Sequence, residues 1–339
     1  MNESNARIEW IDTARGIALF FVIFGHLKTP YIATWIYTFH IPLFFFLSGC
    51  VYRQPRDFKT FMNKKVNGLI IPYFFLGAII WLFHETLYFV NGPENSLYGN
   101  GLTMLWNLIK QQGYWTVWFL ACLFVCQMLF YWILRLGREN RYTVLSISIT
   151  LAIVTFVYYR LGGKTLPWCI DIACIAQLFF TLGYFFNKST RIKQQFILSR
   201  GLKWRMLCLA LLFINCVSGF MNIRLTGKSL DMSIGMYGNE VLAILSALSG
   251  ILFVVMVSTR INSRLLTYLG QNTMIIFGWH SRIIIVALDM LYCHFNLLTN
   301  ESFIIQLARS LVSFTIILAI LIPVTELIKK TRIRKLFGI

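Results

Sequence analysis

Residues 239–258 read NEVLAILSALSGILFVVMVS, a run of 20 positions in which Glu240 is the only charged residue and stands near the start. A helix needs about 20 mostly apolar residues to cross the hydrocarbon core of a bilayer, because each residue advances it by about 1.5 Å. In lipid, the backbone polar groups must also be satisfied within the segment, which a helix achieves. This stretch therefore predicts a transmembrane α-helix, and similar stretches recur along the whole chain.

The composition of the chain agrees with that prediction. Of the 339 residues, 58% are hydrophobic and only 13% are charged, and the mean hydropathy is +0.67. Soluble domains carry roughly 45–50% apolar and about 25% charged residues. The net charge of +18 comes from Lys and Arg in short runs between apolar stretches, whereas a nucleic-acid-binding domain gathers them on one polar surface. We therefore expect a membrane protein that binds membrane lipid and no nucleic acid.

Ten apolar stretches are long enough to be predicted as spans. Their boundaries are 14–29, 34–52, 68–90, 115–136, 143–160, 168–187, 204–222, 239–258, 266–288 and 303–328. The loop charges test this count, because cytoplasmic loops are enriched in Lys and Arg. With the N-terminus inside, 23 of the 31 Lys and Arg residues fall on cytoplasmic segments, six on outer loops and two within spans. The prediction is an all-α polytopic transmembrane helical bundle of about ten helices with both termini cytoplasmic. Residues 1–339 are expected to form one membrane-embedded domain, with no soluble domain appended.

The eight cysteines lie almost entirely within apolar segments, and none forms a Cys-x-x-Cys pair. A buried free cysteine behaves as a small hydrophobic residue. We therefore expect neither a disulfide framework nor a bound metal.

The first span carries three polar side chains, Asp12, Arg15 and His26. A charged or titratable side chain at bilayer depth is costly, so it usually faces the protein interior and marks a functional path. At about 100° per residue, the three positions fall on one face of a helix. This places Asp12 and Arg15 at the predicted cytoplasmic rim and a buried imidazole deeper in the membrane. The first two residues are equally well explained as a charge pair at the start of the helix, whereas His26 favours a functional role.

Polar residues in later spans extend this set. His40 lies in the second span at a predicted depth comparable with that of His26. It is explained either as a functional group or as a hydrogen-bonding partner of backbone released by Pro42. His280 and Arg282 lie in the outer half of the ninth span, which favours an outer polar vestibule around His280.

Two further groups of side chains have alternative explanations. Asp289, His294, Glu301 and Arg309 are expected at the outer level, either in a vestibule or as an ion-paired helix cap, and the cap is favoured for the acids. Trp106, Trp115 and Trp118 predict an interfacial aromatic belt, with stacking on a sugar ring as the alternative.

Several of these residues lie in motifs that resemble a known family. Residues 7–16, RIEWIDTARG, followed by Phe24-Gly25-His26, resemble the first helix of the acyltransferase 3 family. Residues 39–49, FHIPLFFFLSG, resemble the second helix of its fucose 4-O-acetylase-like branch. Residues 118–120 and 269–273, with His280 following, are similar to later family signatures. The resemblance covers essentially the whole chain, and its first two motifs are the specific ones.

The resemblance implies an acetyl-CoA-dependent enzyme of about ten helices in the bacterial cytoplasmic (inner) membrane. Such an enzyme O-acetylates a surface polysaccharide, such as O-antigen or capsule, or a lipid-linked precursor. His26 stands where the family has its essential histidine, and Arg15 stands where it has its essential arginine. The family usually has two arginines, one residue apart, before the third helix, and this chain has Lys64-Lys65 there. Lysine keeps the charge but lacks the bidentate geometry that arginine offers to phosphate.

These residues lead to a mechanistic hypothesis. His26 acts as general base on the sugar hydroxyl or as a transient acetyl carrier, and Asp12 holds Arg15. The expected contacts of the acetyl-CoA phosphates are Arg15, Lys64, Lys65 and Arg53. The residues expected to contact or orient the acceptor are His40, Trp118, His280 and Arg282.

Two other classes of function remain open at the level of the sequence. A transporter or flippase for lipid-linked sugars or an organic anion would place His26 and Arg282 on a translocation path. That class predicts inverted repeats and discontinuous spans, and the sequence shows neither. A membrane scaffold for polysaccharide assembly would be insensitive to single polar substitutions. The sequence leaves a homo-oligomer possible.

Overall fold

The structure is a computed structural model that describes residues 9–27, 29–91, 101–111, 117–189, 201–298 and 302–338. Within these ranges the chain is almost entirely helical, and its only β pairing is an isolated antiparallel bridge between Asp231 and Met236. The prediction of an all-α polytopic fold is confirmed. The residues named or quoted above that lie outside these ranges are Arg7, Ile8, Trp115 and Glu301.

The described residues form fifteen α-helices and five shorter helical turns. The α-helices are α1 (Glu9–Gly25), α2 (Pro30–Tyr37), α3 (His40–Cys50), α4 (Phe58–Lys65), α5 (Ile71–Asn91), α6 (Gly101–Lys110), α7 (Trp118–Leu136), α8 (Arg141–Arg160), α9 (Ile170–Lys188), α10 (Leu202–Thr226), α11 (Glu240–Ser258), α12 (Arg264–Gln271), α13 (Thr273–Trp279), α14 (Val286–His294) and α15 (Phe303–Lys330). Two π-helical turns, Val66–Ile70 and His280–Ile285, join α4 to α5 and α13 to α14. Short 3₁₀ turns occupy Pro167–Cys169, Met232–Ile234 and Arg332–Phe337.

Nine helical stretches among the described residues are long and apolar enough to cross a membrane. They are Tyr31–Cys50, Phe58–Val90, Trp118–Leu136, Arg141–Arg160, Pro167–Lys188, Leu202–Thr226, Glu240–Ser258, Thr273–His294 and Phe303–Lys330. These stretches correspond to nine of the ten predicted spans. The remaining one, 14–29, corresponds to α1, which has 17 residues and ends earlier than expected.

Pro30 explains the early end of α1. A residue that precedes proline is disfavoured in the α conformation, and Thr29 accordingly has φ −124° and ψ 83°. Pro30 itself begins α2, a position that suits its fixed φ and missing N–H. In a continuous helix, Pro30 would also leave the carbonyl of residue 26 without a donor and clash with it. The leading helix ends at Gly25, before that position.

The chain divides into two compact units. The first consists of Met1–Tyr52, Phe179–Met232 and Met236–Thr273. The second consists of Arg53–Leu178, Ser233–Gly235 and Met274–Ile339. The expectation of one membrane-embedded domain stays a prediction.

In the first unit, α1 and α12 approach each other at the level of their backbones. A Cβ atom on Gly16 would lie 1.9 Å from the carbonyl oxygen of Leu266, and one on Gly270 would lie 1.8 Å from that of Asp12. Each helix thus presents a glycine to the backbone of the other, the kind of close packing that small residues allow between membrane helices. The contact fixes α12 against the part of α1 that carries Asp12.

A second contact of the first unit fixes α2 against α10 and α11. Asn215 on α10 is 1% exposed, and its Oδ1 accepts a hydrogen bond from Trp35 Nε1 at 2.6 Å. Its Nδ2 donates to Thr38 Oγ1 at 3.1 Å and to the Ser246 carbonyl at 2.7 Å. One amide therefore holds the end of α2, where the chain turns into α3.

In the second unit, the segment after α15 packs against α5 and the turn Val66–Ile70. Phe337 is fully buried, and its ring centroid lies 5.3 Å from that of Phe75 and 6.5 Å from that of Trp279. A Cβ on Gly338 would lie 2.8 Å from the Cα of Gly68. These contacts place the turn Arg332–Phe337 beside the end of α4.

Candidate functional site

The leading helix carries two of the predicted site residues. Asp12 lies in the first turn of α1 and is 4% exposed, and Arg15 is half-buried. Residues three apart on an α-helix are neighbours on its surface. The structure therefore places the carboxylate and the guanidinium on the same side of α1, as expected.

Asp12 has a hydrogen-bond partner from a distant part of the chain. Gln271, the last residue of α12, donates from Nε2 to Asp12 Oδ2 over 3.2 Å. One turn earlier on α12, the hydroxyl of Thr267 lies 3.4 Å from that of Thr13. Gln271 was part of a quoted motif, but nothing in the sequence connects it with Asp12.

His26 does not lie inside the first helix, which corrects the expectation from the sequence. It occupies the turn after Gly25, and its side chain is exposed instead of buried. Its N–H still bonds to the carbonyls of Val22 and Ile23 at 3.3 and 3.2 Å, so the last turn tightens as the chain approaches Pro30. An exposed imidazole is accessible to a substrate, which a ring sealed in the helix interior is not.

Tyr37 links His26 to His40, and it was not identified from the sequence. The ring centroids of His26 and Tyr37 are 6.5 Å apart at an interplanar angle of 81°. Those of Tyr37 and His40 are 4.9 Å apart at 60°. Tyr37 is half-buried. The signal available in the sequence was its position three residues before His40, in the hairpin that follows His26.

His40 is 5% exposed, and its Nδ1 lies 2.8 Å from the carbonyl oxygen of Ile36. A carbonyl only accepts, so Nδ1 carries the proton and Nε2 carries the lone pair of the neutral ring. This contact fits the structural explanation of His40. The carbonyl concerned, however, is at the break between α2 and α3, not one released by Pro42.

The predicted phosphate-binding lysines end α4 in the second unit. Lys64 is exposed, Lys65 is half-buried with its Nζ 5.5 Å above the Phe61 ring, and Arg53 is exposed in the segment before α4. The π-helical turn Val66–Ile70 follows the lysines directly. Such turns are rare and are frequently found at functional sites.

The second π-helical turn carries His280 and Arg282. His280 is fully buried, and its Nδ1 donates to the Phe277 carbonyl at 2.9 Å. Arg282 is half-buried and lies near enough to His84 on α5 to interact with it electrostatically. His84 is 8% exposed and is not among the predicted site residues. Its signal in the sequence is the same as that of His26, a histidine inside an apolar span.

The other predicted residues of the second unit have structural partners. Trp118 begins α7, is 9% exposed and meets the Phe119 ring edge-on at 6.2 Å. Arg309 forms an ion pair with Asp289, and its guanidinium lies 4.5 Å from the Tyr292 ring. The sequence left two explanations for Asp289 and Arg309, a polar vestibule and an ion-paired helix cap. This ion pair supports the cap.

Within the described residues, no group of three or more His, Cys, Asp and Glu side chains is arranged to hold a metal ion. The cysteines are free thiols, most of them buried.

The arrangement on α1 and the α2–α3 hairpin can be compared with known proteins. The acyltransferase domain family matches residues 8–325. The chain belongs to the acyltransferase 3 family. This match spans α1, which carries Asp12 and Arg15, and most of α15.

A curated protein is similar to part of this acyltransferase 3 chain. It is the nodulation protein NolL of Mesorhizobium japonicum, which is 27% identical over 193 residues, covering 52% of this chain. The chain spans about half the length of that relative, 48%. No solved structure matches the chain.

Proposed function

We propose that the protein is a membrane O-acetyltransferase that moves the acetyl group of cytoplasmic acetyl-CoA onto a sugar hydroxyl. The acceptor is a surface polysaccharide or its lipid-linked precursor, and the host membrane is the bacterial inner membrane. The observation that carries the proposal is the exposed imidazole of His26 at the end of the helix that bears Asp12 and Arg15. Membership of the acyltransferase 3 family supports the reaction class.

In this proposal the imidazole of His26 removes the proton of the sugar hydroxyl while that oxygen attacks the thioester carbonyl. The bond between the carbonyl carbon and sulfur breaks, and the CoA thiolate leaves with the proton held by the imidazolium. In the alternative sequence, the imidazole itself attacks the thioester and passes the acetyl group to the hydroxyl in a second step. Tyr37, packed edge-on against His26, restricts the orientation of the ring in both sequences.

Arg15 is the first-unit candidate for binding the donor phosphates, because guanidinium pairs with phosphate through two parallel hydrogen bonds. Asp12, one turn earlier on α1, orients it. Lys64, Lys65 and Arg53 are further candidates for phosphate contacts. His40, Trp118, His280 and Arg282 stay candidates for contacts with the acceptor.

The proposal is tested by mass spectrometry of surface glycans from cells that lack the chromosomal gene and carry a plasmid copy. We expect the wild-type copy to add the mass of one acetyl group and His26→Ala to abolish the addition. His294→Ala is the matched control, because that histidine is also exposed and belongs to the second unit, at the end of α14. Wild-type acetylation by the His26→Ala protein would exclude the proposed role of the imidazole. Transport of sugar into vesicles without acetyl-CoA would favour a transporter instead.

A further inference from the structure

The turn Arg332–Phe337 is held in place by one apolar side chain. Phe337 is fully buried, with its ring edge-on to Phe75 at 83° and nearly parallel to Trp279 at 28°. Burying a phenylalanine side chain contributes about 1.5–3 kcal/mol relative to leaving it exposed. A segment that would otherwise be free to move after α15 is thereby attached to the second unit.

The backbone contact of Gly338 sets where the turn lies. Gly338 has φ +69°, a left-handed conformation that glycine adopts without strain. Its backbone lies so close to Gly68 that a Cβ would come within 2.8 Å of the Gly68 Cα. Gly68 is in the π-helical turn that begins directly after Lys65. The turn Arg332–Phe337 therefore lies against the end of the helix that carries Lys64 and Lys65.

The anchored turn presents an excess of positive charge. Arg332, Arg334 and Lys335 are all exposed, and in the part of the chain that the structure describes none of the three is ion-paired. Like charges this close together repel each other, and a bound anion with several charges removes that cost. Because the turn follows the last membrane span, these charges lie at its predicted cytoplasmic end.

We infer that the turn Arg332–Phe337, together with Lys64 and Lys65, forms a phosphate-binding surface that holds the phosphates of the acyl-CoA donor. The inference rests on the proposed function and adds a site to it. Guanidinium groups supply the bidentate phosphate geometry that Lys64 and Lys65 lack. Anionic lipid headgroups offer the same chemistry, so the test separates the two sources.

The test measures CoA binding, which needs no knowledge of the acceptor. Full-length wild type and the variant Arg332→Gln/Arg334→Gln/Lys335→Gln are placed in nanodiscs of neutral lipid and titrated with CoA and with 3′-dephospho-CoA. We expect the variant to bind CoA about tenfold more weakly, because charge-assisted hydrogen bonds to phosphate are lost. We expect it to lose less affinity for 3′-dephospho-CoA, because that ligand offers the surface one phosphate group fewer.

The matched control removes three exposed cations from the first unit by Lys203→Gln/Arg205→Gln/Arg264→Gln. It changes the net charge by the same amount and is expected to bind CoA like the wild type. An equal loss in this control would show that only overall charge matters and would overturn the inference.

Phe337→Ala tests the anchor without changing any charge. We expect it to weaken CoA binding severalfold, because the cations are no longer held beside Lys64 and Lys65. Phe337→Leu, which keeps an apolar side chain, is expected to bind CoA nearly as the wild type does. Thermal unfolding of each variant shows whether it is folded.

The outcomes separate this inference from the proposed function. A wild-type protein that binds no CoA would contradict the proposed donor. A wild type that binds CoA, with the triple variant binding it equally well, would contradict the surface alone. If anionic lipid in the nanodisc raises the thermal stability of the wild type but not of the triple variant, and CoA affinity is unchanged, the surface binds lipid headgroups and the inference is wrong.

Discussion

His26 and His40 lie on either side of the Tyr37 ring. They differ in exposure, and this indicates different roles. The ring of His26 is exposed after the last turn of α1. The ring of His40 is buried, and its Nδ1 proton is committed to the Ile36 carbonyl. A group that must meet substrate and transfer a proton has to be accessible. His26 therefore fits the catalytic role, and His40 fits the support of Tyr37 between them.

The buried carboxylate of Asp12 needs a hydrogen-bond donor from elsewhere in the chain. Its carboxylate is 4% exposed, and burying a charge is costly unless it is hydrogen-bonded. Gln271 provides such a bond. Because Gly16 and Gly270 let α1 and α12 touch at backbone level, the donor is held at a fixed place. We expect Gln271 to position Asp12, and through it Arg15.

Gln271→Leu keeps the approximate volume of the side chain and removes the donor. Loss of a hydrogen bond to a charged group costs about 1.5–3 kcal/mol. If Asp12 orients Arg15, the Kd for CoA is expected to rise about tenfold, as measured by titration in nanodiscs.

The control for this prediction is Thr267→Val, which removes the contact with Thr13 between the same two helices without touching Asp12. It is expected to leave CoA affinity unchanged. In a background that carries Asp12→Ala, Gln271→Leu should no longer change the Kd for CoA, because the carboxylate that Gln271 contacts is absent. If the losses of CoA affinity caused by the two substitutions add up in the double variant, Gln271 does not act through Asp12.

At the scale of elements, the break between α2 and α3 arranges the histidine pair. The chain leaves α2 at Tyr37 and starts α3 at His40. The Ile36 carbonyl left over at this break accepts from Phe39 N–H and from His40. Asn215 on α10 fixes the break from the other side. The geometry of the candidate site therefore depends on an amide in a helix more than 170 residues later, since Asn215 and Thr38 are 177 positions apart.

Asn215→Leu tests that dependence. The substitution leaves Trp35 Nε1, Thr38 Oγ1 and the Ser246 carbonyl without this partner. Each buried group that loses its partner costs about 1–3 kcal/mol. We expect a clear fall in the thermal unfolding temperature in detergent and a matching loss of acetylation.

Ser218→Ala on the same helix is the control. Ser218 is similarly buried, at 3% exposed, but its hydroxyl donates to the carbonyls of Ile214 and Asn215 on its own helix. It should unfold within a degree or two of the wild type. Equal destabilisation by both substitutions would mean that α10 is sensitive to any polar change. It would contradict the inference that Asn215 fixes the break between α2 and α3.

For the whole molecule, the arrangement across the membrane follows from charge. The nine apolar stretches and the leading helix α1 alternate with loops whose Lys and Arg content alternates too. Cationic loops are retained in the cytoplasm during insertion. The segment between α3 and α4 is therefore predicted to lie inside, and the segment between α8 and α9 is predicted to lie outside.

Cysteine labelling in a cysteine-free background tests this arrangement. Arg56→Cys and Lys164→Cys each replace an exposed residue in one of the two segments. A membrane-impermeant maleimide is expected to label position 164 in intact cells, and position 56 only after the cells are permeabilised. Labelling of both sites in intact cells would contradict the predicted topology, and so would the reverse pattern.

Much of the helical architecture was predictable because lipid leaves few options for the backbone. The predicted span 239–258 is α11, Glu240–Ser258, to within one residue. The predicted site residues Asp12 and Arg15 do share a helix face, because a regular helix repeats every 3.6 residues. The predicted span extends to residue 29, beyond the end of α1 at Gly25, because composition alone does not locate the break before Pro30.

The amino-acid sequence alone thus predicts the apolar segments, their order, and the residues that match a family motif. These depend on local composition and on a periodicity that lipid enforces. Three contacts become visible only in the folded chain. Gln271 bonds to Asp12, 259 positions away, Tyr37 lies between two histidines, and Phe337 fixes a basic turn beside Gly68. Such contacts depend on which helix faces pack together, and that packing is a property of many side chains at once, not of any one stretch of sequence.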